Sequence, residues 1–232
     1  EDADVCAVVA GDESLVKTVR DAVHREHLPQ LRDVWAMDVA GGEPGSGLDE
    51  LAALGADVSD EDLEARRSSA NLEDLATIIY TSGTTGRSKG AMLSHGNLAS
   101  NALALVDAWH FTARDVLIHA LPIFHTHGLF VATNVVLLSG GSMIFLPKFD
   151  PDRIFEAMGR ATVLMGVPTF YVRLLGDARL DAGATRNMRL FISGSAPLLA
   201  DTHREWQART GHAILERYGM TETNMNTSNP YR

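Results

Sequence analysis

The sequence predicts an α/β protein with mixed or largely parallel sheets and packed helices, and three observations carry that expectation. Short β-branched runs alternate with amphipathic stretches along the chain, the order in which crossover helices join parallel strands. Some of these runs feed turns rich in glycine, serine and threonine, which read as loops. The 232 residues are 45% hydrophobic and 22% charged, enough to bury a core of ordinary size in one large domain or two small ones.

Taken in order, Val5 to Ala10 reads as a strand, and Cys6 within it as a buried structural thiol. As the single cysteine, it leaves no disulfide within the chain. Glu13 to His27 reads as a helix and Val34 to Val39 as a strand, followed by a glycine-rich loop over 41–47. The Gly45-Ser-Gly47 within that loop lacks the third glycine of a dinucleotide fingerprint. Residues 48–56 and 60–68 look like polar surface helices, the second capped by Ser59. Leu75 to Tyr80 is a strand that feeds a Gly/Thr loop. Ala91 to Leu93 continues extended, and Ser94 caps a helix to about Trp109. Val116 to Leu121 reads as a buried strand, 128–139 as a helix and Ser142 to Leu146 as a strand. Asp150-Pro151 supplies a cap and a proline at the first helical position for a helix ending near Arg160. The strand Thr162 to Met165, a helix after Pro168, the strand Leu190 to Ser193, a helix over 200–209 and the strand Ala213 to Glu216 complete the pattern.

Charge is unevenly placed. Residues 1–76 hold 19 Asp/Glu against 6 Lys/Arg, whereas 77–232 hold 11 against 14. The chain thus divides into an acidic N-terminal segment, 1–74, and a core, 75–232, that carries every motif below. An acidic surface argues against nonspecific nucleic-acid binding, while the second part tolerates an anionic ligand. No stretch approaches the roughly 20 apolar residues of a membrane helix, and the N-terminus lacks the basic and apolar regions of a signal peptide, so a cytoplasmic location is expected.

The strongest motif is Thr81-Ser-Gly-Thr-Thr-Gly-Arg-Ser-Lys-Gly90. Its glycines let the backbone approach a ligand, its hydroxyls offer donors, and Lys89 adds a positive charge, a combination suited to phosphates. It is not a Walker loop, because no Gly-Lys-Ser/Thr stands where that loop requires it. In Tyr218-Gly-Met-Thr-Glu222 the ring can stack on a purine, the threonine can bond an anionic oxygen and the carboxylate can hold Mg²⁺. Ser193-Gly-Ser-Ala-Pro-Leu198 is a small-residue turn at a strand end, suited to passing close to a flat ring. Leu121-Pro-Ile-Phe-His-Thr-His-Gly-Leu129 has two histidines at spacing two, but no Cys or nearby carboxylate to complete a zinc site. His125 therefore reads as lining a pocket, with His127 supporting it. No Gly-x-Ser-x-Gly elbow supports a hydrolase.

Together and in this order, the three runs 81–90, 193–198 and 218–222 resemble the adenylate-forming acyl-CoA synthetase superfamily. The similarity covers 75–229, where 121–129, 165–169 and 216–229 most resemble malonyl-CoA synthetases. The first 70 residues look more like long-chain fatty acyl-CoA synthetases. The resemblance implies the following roles. Thr81, Ser82, Gly83, Thr84, Thr85, Gly86 and Lys89 would hold the β- and γ-phosphates of ATP. Thr221 would contact the α-phosphate, and Glu222 would bind Mg²⁺. Gly194, Ser195, Ala196, Pro197, Glu216, Arg217, Tyr218, Gly219 and Met220 would frame the adenylate. His125 would sit beside the reacting carboxylate, with Ser193 close to the substrate. Ser88 stands where proline is frequent in the family.

The reaction implied is ATP-dependent activation of a carboxylic acid to acyl-AMP, then transfer to coenzyme A. A dicarboxylate such as malonate needs its distal charge paired, because burying a lone carboxylate is prohibitive. Arg173 matches the arginine that resembles the malonate clamp. Alternatives are a medium- or long-chain fatty acid, an adenylation module loading an acyl carrier protein, and a noncatalytic nucleotide-binding module. The chain reads as a fragment, since the family's ribose-binding aspartate, hinge and C-terminal lid domain with its lysine are expected beyond Arg232. That fragment is expected to be inactive or impaired alone.

Overall fold

The computed structural model describes residues 5–26, 28, 30–38, 47–82 and 86–231. The chain forms two compact units, 1–70 and 71–232, each taken here by itself.

In the first unit β1 (Ala7–Asp12) leads through α1 (Glu13–Glu26) to β2 (Asp33–Asp38), and the two strands pair in parallel. The helices α2 (Leu48–Leu54) and α3 (Asp60–Ser69) follow. Ser59 caps α3 as expected, its hydroxyl accepting from the Asp62 N–H at 3.1 Å. The buried apolar core of this unit is small: Ala10, Val16 and Ala36, with Val34 packed against them. That explains a correction. Cys6 is exposed rather than buried, because it precedes a ladder only two strands wide, and Val5 and Val9 beside it are 48% and 45% exposed. The expected loop over 41–46, like the expected ends at His27 and Val39, lies outside the described residues.

The second unit opens with β3 (Leu75–Thr81) and β4 (Lys89–Ser94), an antiparallel hairpin whose register pairs Thr81 with Lys89. Ser94 then caps α4 (His95–Ala108) through a capping box with Asn97. After β5 (Val116–His119) come a π-helical stretch, His127–Ala132, and α5 (Thr133–Ser139). Next are β6 (Ser142–Phe145), α6 (Pro151–Met158), β7 (Val163–Gly166), α7 (Pro168–Leu175), β8 (Leu190–Ser193), α8 (Ala200–Thr210), β9 (Ile214–Met220) and β10 (Asn224–Ser228). The main sheet runs β10-β9-β8-β7-β5-β6, parallel except for the β9–β10 pair. Every residue of β7 and β8 is buried, as a parallel sheet covered on both faces requires. Alternate residues divide between two cores. Ile118, Leu164 and Phe191 pack with Tyr171 and Trp206 on one face; Leu117, Val163, Leu190 and Ile192 pack with Trp109 on the other.

Three residues, each directly before a strand, lock the amino ends of that sheet. Arg189 clasps Asp115 with both carboxylate oxygens, at 2.6 and 2.8 Å, and Thr162 donates to the same carboxylate at 2.9 Å. The opposite, carboxyl ends are left to shape a crevice, the usual ligand side of such sheets.

Two elements differ from expectation. The helix over 128–139 begins as a π-helix, and its wider turn leaves the Gly128 carbonyl to accept from the Thr133 hydroxyl at 3.0 Å, with His119 Nε2 also 2.9 Å away. The last expected strand continues to Met220 and turns back as β10, which carries no alternating apolar pattern. It is held instead by Asn101 of α4, whose side-chain amide donates to the Met225 carbonyl at 2.8 Å and accepts from its N–H at 3.3 Å. Trp109 adds an Nε1–H donation to Ser228 Oγ at 2.9 Å.

Candidate active site at the carboxyl ends of the strands

The crevice is built from three turns that leave β5, β8 and β9. After β8, Ser193 is fully buried with its Oγ unpartnered among the described residues. Gly194 follows because a Cβ there would collide with the Arg217 guanidinium. Ser195 then takes a left-handed backbone, φ 68°, which a non-glycine residue adopts only when its surroundings impose it. What fixes this turn is Glu216 on β9. Its Oε1 accepts from the Leu198 N–H at 2.9 Å, and its Oε2 lies 3.3 Å from His203 Nε2 on α8.

Two cavities open on this turn. The larger, about 440 Å³, is lined by 195–197, 216–219 and 227–229, with the Tyr218 ring 57% exposed beside it. The smaller, about 170 Å³, is lined by 125–127, Ser195, Arg217, 219–221 and Met225. Ser195, Arg217 and Gly219 belong to both, so they form the partition between a ring-sized cleft and a small polar pocket.

Arg217 dominates the partition electrostatically. It is 7% exposed, and its Nε and Nη2 have no partner among the described residues. Burial lowers its pKa to about 10, so it remains cationic at neutral pH. His127 is 3% exposed, with Nδ1 3.3 Å from Ser195 Oγ and Nε2 unpartnered. Burial first, then the charges of Arg217, His125 and His119, hold its pKa well below the usual histidine value, so its ring is neutral. His125 is exposed, and its Nδ1 accepts from the His127 N–H at 3.4 Å.

The glycine-rich loop projects from the β3–β4 hairpin. Thr81 Oγ1 donates to the Lys89 carbonyl at 3.4 Å, Ser82 and Lys89 are exposed, and Gly86 adopts φ 88°. Gly83, Thr84 and Thr85 lie outside the described residues. Thr221 and Glu222 sit in the β9–β10 turn, the first half-buried and the second exposed. Arg173 is exposed on α7, its guanidinium 4.4 Å above the Phe149 ring, and lines neither cavity.

A family model described as AMP-binding enzyme matches residues 1–232. The chain belongs to that family. Malonate–CoA ligase of Arabidopsis thaliana is 40% identical over 181 residues, which cover 69% of this chain and 30% of that protein. ATP-bound MatB from Rhodopseudomonas palustris superposes with a TM-score of 0.83 at 61% identity, over 99% of this chain and 43% of the other. A malonyl-CoA ligase ternary product complex with methylmalonyl-CoA and AMP bound gives a TM-score of 0.69 at 34% identity, over 97% and 54%. This AMP-binding chain therefore spans about half the length of the relatives it matches, or less.

Several residues lining the candidate site were not singled out as site residues by sequence. Thr227 to Asn229 enter the larger cleft and Met225 the smaller pocket because the β9–β10 hairpin turns back on itself, and Thr126 enters the smaller pocket from the turn after β5. His203 and Asn101 act one step removed, through Glu216 and β10. No periodicity or motif marks His203 or Asn101, and the runs 121–129 and 216–229 gave Thr126, Met225 and Thr227 to Asn229 no role. Their roles exist only once the strands are paired.

Proposed function

We propose that this chain forms the nucleotide- and acid-binding part of an enzyme that activates a small dicarboxylic acid, malonate, with ATP. A carboxylate oxygen attacks the α-phosphorus and pyrophosphate leaves; the thiol of coenzyme A then takes the acyl group and AMP leaves. The observation that carries the reading is the pairing of a ring-sized cleft with a pocket of about 170 Å³ lined by Arg217, a buried cation whose Nε and Nη2 have no partner among the described residues. A buried cation without a counter-ion calls for an anionic ligand. A fatty acyl chain calls for an apolar wall there.

In this reading Tyr218 stacks on adenine against 194–197, and Glu216 holds that turn rigid. Thr221 contacts the α-phosphate, and Thr81 to Lys89 grip the β- and γ-phosphates. Glu222 suits Mg²⁺, which takes one or two carboxylates together with phosphate oxygens and water, and its exposure in a turn leaves room for them. The ion would neutralise phosphate charge. His125 stands beside the reacting carboxylate. Two arginines are candidates for the distal carboxylate. Arg173 fits the family pattern, but Arg217 lines the pocket that contains His125, so Arg217 is preferred. Acid-dependent exchange of pyrophosphate into ATP by the full-length protein tests the proposal. Malonate should support exchange far better than octanoate, and a preference for octanoate would reject the dicarboxylate.

A further inference from the structure

We infer that His127 determines specificity in the acid pocket, its Nε2–H donating to the distal carboxylate of the acid beside the Arg217 guanidinium. The inference rests on the dicarboxylate reading above and adds to it a residue that otherwise only supports His125.

A neutral imidazole carries one N–H, and the position of its proton is set by what the other nitrogen meets. Nδ1 meets the Ser195 hydroxyl at 3.3 Å. A hydroxyl that gives its proton to Nδ1 leaves the ring proton on Nε2. That nitrogen is buried and has no partner among the described residues, nor have Nε and Nη2 of Arg217, and both residues line the smaller pocket. Buried donors are almost always satisfied, and three unpaired ones on two residues that line one small cavity suit a single acceptor group. A carboxylate offers two oxygens and about four lone-pair sites, enough for all three. The left-handed Ser195 then has a purpose, since it sets the hydroxyl against the ring that must stay in one tautomer. In the competing arrangement Nδ1–H donates to Ser195 and Nε2 turns a lone pair on the pocket. That ring would be a wall, repelling a carboxylate and replaceable by any aromatic.

The test compares malonate with propionate, which has the same carbon count but no distal charge, in the full-length protein. His127→Phe keeps the ring and removes the donor; His127→Gln keeps an amide donor. The malonate-to-propionate ratio of kcat/KM should fall about 10- to 100-fold in His127→Phe, the range for a hydrogen bond to a charged group, with the KM for ATP unchanged. His127→Gln should recover most of it. Equal losses on both acids, or an unchanged ratio, would overturn the role. Should His127→Phe fail to fold, long-range ¹H–¹⁵N spectra of the wild-type ring decide: Nε2 protonated with malonate bound supports the assignment, and Nδ1 protonated refutes it. A wild type that shows no preference for malonate rejects the dicarboxylate reading itself, whereas a preferring wild type with a preferring variant rejects only His127.

Discussion

Arg217 shows how one side chain can be poor for stability and good for binding. Its ordinary pKa is lowered to about 10, so the folded chain holds the proton more weakly than the unfolded chain does. The sign follows: the folded state is penalised wherever the guanidinium is charged, at neutral pH and below, and the penalty lifts only as pH rises through about 10. The size is on the order of 3 kcal/mol, and an anion in the pocket offsets it. Arg217→Met should therefore leave the melting temperature unchanged or higher while reducing kcat/KM for malonate by about a hundredfold or more, the cost of losing one partner of a buried charge pair. A melt and an exchange assay on the same preparation check this. A drop in melting temperature of several degrees would mean that the guanidinium holds the fold rather than the acid.

At the scale of elements, two polar clasps hold the sheet at opposite ends. At the amino end, Asp115 is 3% exposed. Burial by itself raises its pKa, but Arg189, the Thr112 N–H and Thr162 together outweigh that and hold the carboxyl below its usual range. Stability from this group is present above the unfolded value, near 3.9, and is lost as pH falls through the lower folded value. Asp115→Asn should cost about 2–3 kcal/mol at pH 7, less than for a fully buried pair because Arg189 stays 25% exposed. In urea melts the gap from wild type should close as pH falls through the lowered folded value; a gap that persists in strong acid would show that the charge is not the cause. At the carboxyl end, Asn101 ties α4 to β10. Asn101→Ala leaves the Met225 N–H and C=O unpaired at about 1–3 kcal/mol. It should also weaken ATP binding measured by calorimetry, since β10 carries one wall of the larger cleft. These clasps mark the limit of what sequence could convey. Asp150-Pro151, Ser59 and Ser94 are local signals, and the helices begin where they say. The apolar runs of β7 and β8 are equally plain, being buried on both faces. By contrast β10 and the pocket residue Met225 depend on Asn101, 124 residues away in sequence, and the exposure of Cys6 depends on how few strands cover it.

At the scale of the whole molecule, the uneven charge of the chain is matched by an uneven core. Both large clusters, with Trp109, Tyr171, Phe191 and Trp206 fully buried, belong to 71–232. Among the described residues, the buried cluster of 1–70 is three small residues. Two alanines and a valine bury little apolar surface with which to offset the entropy of ordering the segment. Every residue lining the two cavities lies in 71–232 as well. Residues 71–232 expressed alone should accordingly fold cooperatively and keep the ¹H–¹⁵N resonances of 193–198 and 216–229 close to those in the 232-residue chain, whereas 1–70 alone should give the narrow dispersion of an unfolded chain. An unfolded 71–232 would overturn this, because it would mean that the acidic segment supplies packing the larger unit needs, and the site could then not be assigned to that unit alone.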